Sequence, residues 1–183
     1  RILEENLKPL ESNVKMVEQD HGDIHRYVPL FVKQKLEERL SEQYLLGVTG
    51  EIGSGKSYFG EKFVQWSKRK SVFVHNIELD YLGRKILTEK GRYGDARAKI
   101  FSEFRNGVAN ADGTVDSSVL GRMAFSDSKK LKKLNDITHP YILLELQEEL
   151  YGKKGIVLVN AALIAETGLS YLSNNNCVLM KSN

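Results

Sequence analysis

From residue 44 onward the chain alternates short apolar runs with longer segments whose apolar residues recur every three or four positions. Residues 45–49 (LLGVT) form an apolar run that stops at Gly50, the pattern of a strand buried on both faces. From Gly55 the spacing becomes Phe59, Phe63 and Trp66, which predicts a helix. Residues 71–77 (SVFVHNI) predict a second strand, beside the first and ending in Glu78-Leu79-Asp80. Residues 81–151 are mostly helical by pattern, with turns at Gly91, Gly107 and Asp112-Gly113. Within them, 138–151 predicts a helix with Pro140 early in it and Ile142, Leu146 and Leu150 on one face. Residues 155–159 (GIVLV) predict a third buried strand, and 177–180 (CVLM) a fourth with Cys177 packed inside. Strands that alternate with helices predict an α/β fold, a parallel sheet covered on both faces in an α/β/α arrangement.

Residues 1–43 have another texture. They are charged and hold two of the 3 prolines. Pro29 suits the first turn of a helix, and Val32, Leu36 and Leu40 follow on one face with Lys33, Glu37, Glu38 and Arg39 on the wet side. Residues 1–43 therefore read as a helical appendage and 44–183 as the main domain, with a boundary near 41–44.

Composition narrows the classes. At 183 residues and 41% hydrophobic content the chain suits one domain plus the appendage and excludes wholesale disorder. Lys and Arg number 27 against 24 Asp and Glu, leaving +3, too mild for a nucleic-acid partner. The single cysteine fits a reducing compartment. No apolar run reaches the ~18–20 residues of a membrane span. The chain opens at Arg1 without a signal peptide. The expectation is a cytoplasmic protein, cut from a longer one.

The chemistry concentrates at Gly50-Glu51-Ile52-Gly53-Ser54-Gly55-Lys56-Ser57, which satisfies G-x-x-x-x-G-K-[ST] between a predicted strand and a predicted helix. Glycines let successive N–H groups converge on phosphate oxygens, and the helix turns its positive end toward the same anion. Lys56 then neutralises the β- and γ-phosphates of ATP, and Ser57 ligates Mg²⁺. Lys56 stands at an exposed helix start, so the fold should not depend on it. Glu78 and Asp80 end the strand expected beside this loop, where a carboxylate can take the proton of an acceptor hydroxyl. Asp80 also suits a helix N-cap. No N-K-x-D sequence supports a GTPase, and the third strand ends in Asn160 where a second metal-side acid would stand. Lys129, Lys130, Lys132 and Lys133 read as a solvated face, Tyr93 and Phe101 as core, and His21, His25 and His75 as no metal set. Arg92, Arg97 and Arg105 stand unranked as cations for substrate phosphates.

Five stretches resemble dephospho-coenzyme A kinases, in the family's order and spacing: GVTGEIGSGKS (47–57), HNIELDYLGRKIL (75–87), DGTVDSSVLGRMAF (112–125), ITHPYI (137–142) and NAALIAETG (160–168). The resemblance implies phosphorylation of the ribose 3′-hydroxyl of dephospho-coenzyme A by ATP with Mg²⁺, on a five-stranded P-loop kinase core with a helical substrate region and a mobile lid. It implies Asp80 as general base, residues 50–57 as the ATP phosphate loop, and Glu78, Arg122 and His139 as substrate-side residues. Four positions depart from the family's pattern. Glu78 stands for Asp, Ser117 for Arg, Leu143 for a frequent Arg, and Asn160 for the Asp that ends the third strand. The family's Arg-bearing lid and C-terminal helices lie past Asn183 and are expected to be missing.

Residues 11–40 resemble the C-terminal end of phosphopantetheine adenylyltransferase. The likeness rests on Ser12, Val14 and Lys15, then Gly22-Asp23-Ile24 and the segment from Val28-Pro29. It implies an adenylyltransferase domain upstream in one bifunctional polypeptide. The residues themselves leave open a P-loop kinase for another small alcohol or nucleotide, or a nucleotide-binding module without turnover.

Overall fold

A computed structural model describes residues 42–51, 53–105, 107–162, 170–173 and 177–181, together with Pro29, Val32, Leu36 and Arg39. Ile52, Leu40, most of the predicted appendage and most of the 160–168 stretch lie outside the described residues. The chain divides into two compact units, one formed by the segments up to Glu78 and from Gln147 onward, the other by Leu79–Leu146.

The first unit is built on a sheet. Strands β1 (Gln43–Gly50), β2 (Val74–Glu78), β3 (Gly155–Asn160) and β4 (Cys177–Met180) pair in parallel in the order β2-β3-β1-β4. Helix α1 (Lys56–Lys68) covers one face. Val48, Val74 and Leu158 are buried there, with Phe59, Phe63 and Val64 packed against them. Leu45, Val157 and Val159 are buried as well, so the central strands are apolar on both sides, as a parallel sheet requires. The Phe59, Phe63 and Trp66 spacing gives two stacked ring pairs, with centroids 5.7 and 5.6 Å apart.

The expected α/β class and parallel sheet hold, but the strands need correction. The second strand is not beside the first, because β3 lies between them. GIVLV is the more apolar run and takes the central place, while VHNIE, with three polar residues, takes the edge. The second strand also stops at Glu78, and Leu79 and Asp80 already belong to the following helix. Cys177 is exposed rather than packed, since β4 is the opposite edge.

The second unit is helical: α2 (Leu79–Thr88), α3 (Gly94–Phe104), α4 (Ser117–Phe125) and most of α5 (Ser128–Leu150). Ile100, Phe104, Val108, Val115, Leu120 and Ala124 form its main core, and Ile86, Tyr93 and Ala96 a second one. Tyr93 belongs to the second core and Phe101 packs against the main one, as expected of core residues. The turns at Gly91, Gly107 and Gly113 all have positive φ. Asp116 caps α4 by accepting from the Ser118 and Val119 N–H groups at 2.9 and 3.0 Å.

Helix α5 extends the expected 138–151 helix, because it begins back at Ser128 and so holds Pro140 in its interior. Asp127 starts it, accepting from the Lys129 N–H at 2.8 Å. Pro140 removes one N–H from the helix interior, but both it and Asp136, four residues earlier, are exposed, so water can satisfy the freed carbonyl. Arg97 is buried and donates to the Glu89 carbonyl just past the end of α2, which makes it a structural residue.

Glu145 is 1% exposed, yet two cations reach it: Lys85 Nζ at 2.5 Å and Arg92 Nη1 at 3.1 Å. Burial alone pushes its carboxyl up, but Lys85, Tyr93 and Arg92 together outweigh burial and hold it below the usual value. The Glu145 hydrogen bond raises Lys85, and burial, followed by Glu145, raises Tyr93. A depressed carboxyl contributes stability above its ordinary pKa and loses it as pH falls through the folded value. Glu145→Gln should therefore cost about 3 kcal/mol in urea unfolding at pH 7, the low end for a broken buried pair. The gap from the wild type should close in acid, where Glu145 is itself protonated.

Candidate active site

In a parallel sheet all strands end on the same edge, and three chain segments of the first unit meet there. The 50–57 loop leaves β1, Glu78 ends β2 and Asn160 ends β3. Gly50 has φ 146°, and a Cβ on it would lie 2.1 Å from the Met180 carbonyl oxygen, so no other residue fits. The Gly50 N–H and the Thr49 hydroxyl both donate to the Ala162 carbonyl, at 3.4 and 3.2 Å, which ties the chain after β3 to the start of the loop. Gly55, in the left-handed conformation with φ 88°, opens α1.

Lys56 corrects the expectation of an exposed helix start. It is buried, and its Nζ donates to the Gly50 and Glu51 carbonyls at 2.8 Å each. The ammonium closes the loop by holding two of the loop's own oxygens. Ser57 is exposed in the first turn of α1, and the Ser54 hydroxyl is buried without a hydrogen-bond partner. Gly53 and Glu51 are exposed on the loop surface.

Asn76 is a residue that pattern reading missed. It sits so close to α1 that a Cβ on Gly60 would lie 2.6 Å from its Oδ1, and its Nδ2 donates to Glu78 Oε1 at 3.5 Å. A polar residue in the middle of a short strand was the available signal. Asn160 is 4% exposed, and its Nδ2 has no partner. Ser57 and Glu78 offer hard oxygen donors on this edge, a set that suits Mg²⁺ better than a softer metal. Among the described residues, no group of three or more His, Cys, Asp or Glu is placed to hold a metal.

The other sequence candidates lie in the second unit. Asp80 is exposed in the first turn of α2, Arg122 is exposed in the last turn of α4, and His139 is half-buried in the middle of α5. Burial pushes the His139 imidazole below its ordinary pKa, and Asp136 only partly opposes this, so the ring is neutral at pH 7. The structure thus groups residues 50–57, Ile52 aside, with Glu78, and places Asp80, Arg122 and His139 in the second unit.

A family model described as dephospho-CoA kinase matches residues 44–182. The chain belongs to the dephospho-CoA kinase family. Among its relatives, a dephospho-CoA kinase of Dehalococcoides mccartyi is 36% identical over 135 residues, covering 71% of this chain and 63% of that protein. The dephospho-CoA kinase of Lactobacillus johnsonii is 33% identical, over 72% of this chain and 64% of that protein. The chain thus spans somewhat over three fifths of these family members, 63% and 64% of their length. A solved dephospho-CoA kinase of Campylobacter jejuni is 24% identical, with a TM-score of 0.49 over 75% of this chain and 64% of that one. No helix among the described residues is long and apolar enough to cross a membrane.

The two hydrogen bonds of Lys56 lead to a test. Lys56→Ala should lower the stability of the ligand-free protein by about 2–3 kcal/mol, because two charge-assisted bonds are lost from a buried site. Chemical unfolding without nucleotide measures this. Wild-type stability would mean that the ammonium does not hold the loop.

Proposed function

We propose that this chain binds ATP and transfers its γ-phosphoryl group to the ribose 3′-hydroxyl of dephospho-coenzyme A, the last step of coenzyme A biosynthesis. The observation that supports this most is the strand–loop–helix segment from β1 to α1, its glycine loop closed on Lys56, in a chain that belongs to the dephospho-CoA kinase family.

In this reading Lys56 exchanges the Gly50 and Glu51 carbonyls for the β- and γ-phosphate oxygens, and the loop N–H groups hold the same phosphates. Ser57 would hold Mg²⁺, which when bound neutralises charge on the β- and γ-phosphates. The 3′-oxygen forms a bond to the γ-phosphorus as the bond from that phosphorus to the β,γ-bridging oxygen breaks. ADP leaves, and Asp80 accepts the hydroxyl proton. Asp80 is exposed, so its carboxylate is open to an incoming acceptor. Arg122 contributes positive charge on the acceptor side, and neutral His139 can hydrogen-bond there. Residues 1–43 belong in this reading to the seam with an adenylyltransferase domain upstream, which would make the kinase's substrate.

MgATP should raise the melting temperature, by an amount corresponding to about 2.7 kcal/mol at a hundredfold excess over Kd. With the full-length protein, dephospho-coenzyme A should be phosphorylated and nucleoside monophosphates should not. No thermal shift at millimolar MgATP would overturn the reading.

Asp80→Asn keeps the shape of the side chain but cannot take a proton. It should lower kcat by roughly 10² to 10⁴, with little change in ATP affinity. Steady-state kinetics on the full-length protein decide this. Near-wild-type turnover would leave Asp80 only its place in the first turn of α2, where a carboxylate favours the positive end of the helix.

A further inference from the structure

One of the strands flanking β1 ends in a buried amide. Asn160 closes β3, which pairs directly with β1. It pairs in register with Glu78, the last residue of β2. Val48, Val74 and Leu158 all lie in the cluster beneath α1. Side chains alternate along a strand, so Asn76, Glu78 and Asn160 share that face, at the edge where α1 begins.

Three observations make this a built arrangement. Asn160 is 4% exposed and its Nδ2 has no partner, so a buried donor waits at the sheet edge. Asn76 Nδ2 donates to Glu78 Oε1 at 3.5 Å and steadies the carboxylate. Gly60 leaves α1 open where Asn76 approaches it.

We infer that Glu78 and Asn160 divide between them the work of a single strand-end carboxylate: Glu78 holds the water shell of the divalent cation that accompanies the nucleotide, and the Asn160 amide donates to a phosphate oxygen. The inference rests on the nucleotide-binding reading above. It moves Glu78 from the acceptor side to the metal side. The longer glutamate side chain suits a carboxylate that starts one strand farther from the loop. A donor at 160 faces the phosphates without adding negative charge beside them.

The test is calorimetric titration of the full-length protein with ATP, once with excess Mg²⁺ and once with EDTA. The ratio of the two dissociation constants measures how far the metal tightens binding. Glu78→Gln should reduce this ratio roughly tenfold and leave affinity in EDTA unchanged, the weight of one charge-assisted contact. Asn160→Asp should act in the opposite sense. It should weaken ATP in EDTA roughly tenfold, by placing an acid against the phosphates, and so increase the ratio. An unchanged ratio in either folded variant overturns the inference. If Glu78→Gln fails to fold, Asn160→Asp, which is nearly isosteric, decides alone. Failure of the wild type to bind ATP at all would instead overturn the nucleotide-binding reading.

Discussion

The Lys56 ammonium lies buried between the Gly50 and Glu51 carbonyls, 2.8 Å from each. A buried cation must be surrounded by oxygen, because leaving water without a partner is costly. Here its own loop supplies that oxygen, and the rest of the first unit is arranged to permit it. Gly50 lets the chain pass the Met180 carbonyl on β4, and the Thr49 hydroxyl and Gly50 N–H anchor the turn to Ala162 beyond β3. Helix α1 starts where the loop ends and packs its Phe59 and Phe63 onto the apolar face of the sheet. Arriving phosphate would replace two neutral oxygens with charged ones, so in the proposed function the contact that closes the free loop is also the one that nucleotide would displace.

The second unit is held by another kind of contact. Its cores are apolar, but next to one of them lies the Glu145 carboxylate, with Lys85 and Arg92 as partners and Tyr93 alongside. Such a group favours one arrangement of α2, the turn before α3, and α5, because any other leaves a charge uncompensated. Two positions where the resemblance implies an arginine carry none in this unit. Ser117 is exposed in the first turn of α4, just after the Asp116 cap, and Leu143 is half-buried on α5.

Much of this protein is determined by its sequence alone. The apolar runs mark β1, β3 and β4, the glycine loop marks the turn into α1, and Gly91, Gly107 and Gly113 mark the turns between helices, since each of these depends on local backbone and burial rules. Five ordered motifs point to the family that the comparison bears out. Tertiary structure decided the rest. Strand order depends on which runs bury both faces best, a competition among segments far apart in the chain, and so β3 took the place expected for β2. Pattern marked the 138–151 part of α5 but not its continuation back to Ser128, because a proline inside a helix is tolerated only where the freed carbonyl finds another partner. The burial of Lys56 and the register of Glu78 with Asn160 arise from the closing of the loop and the pairing of strands, which no local spacing encodes.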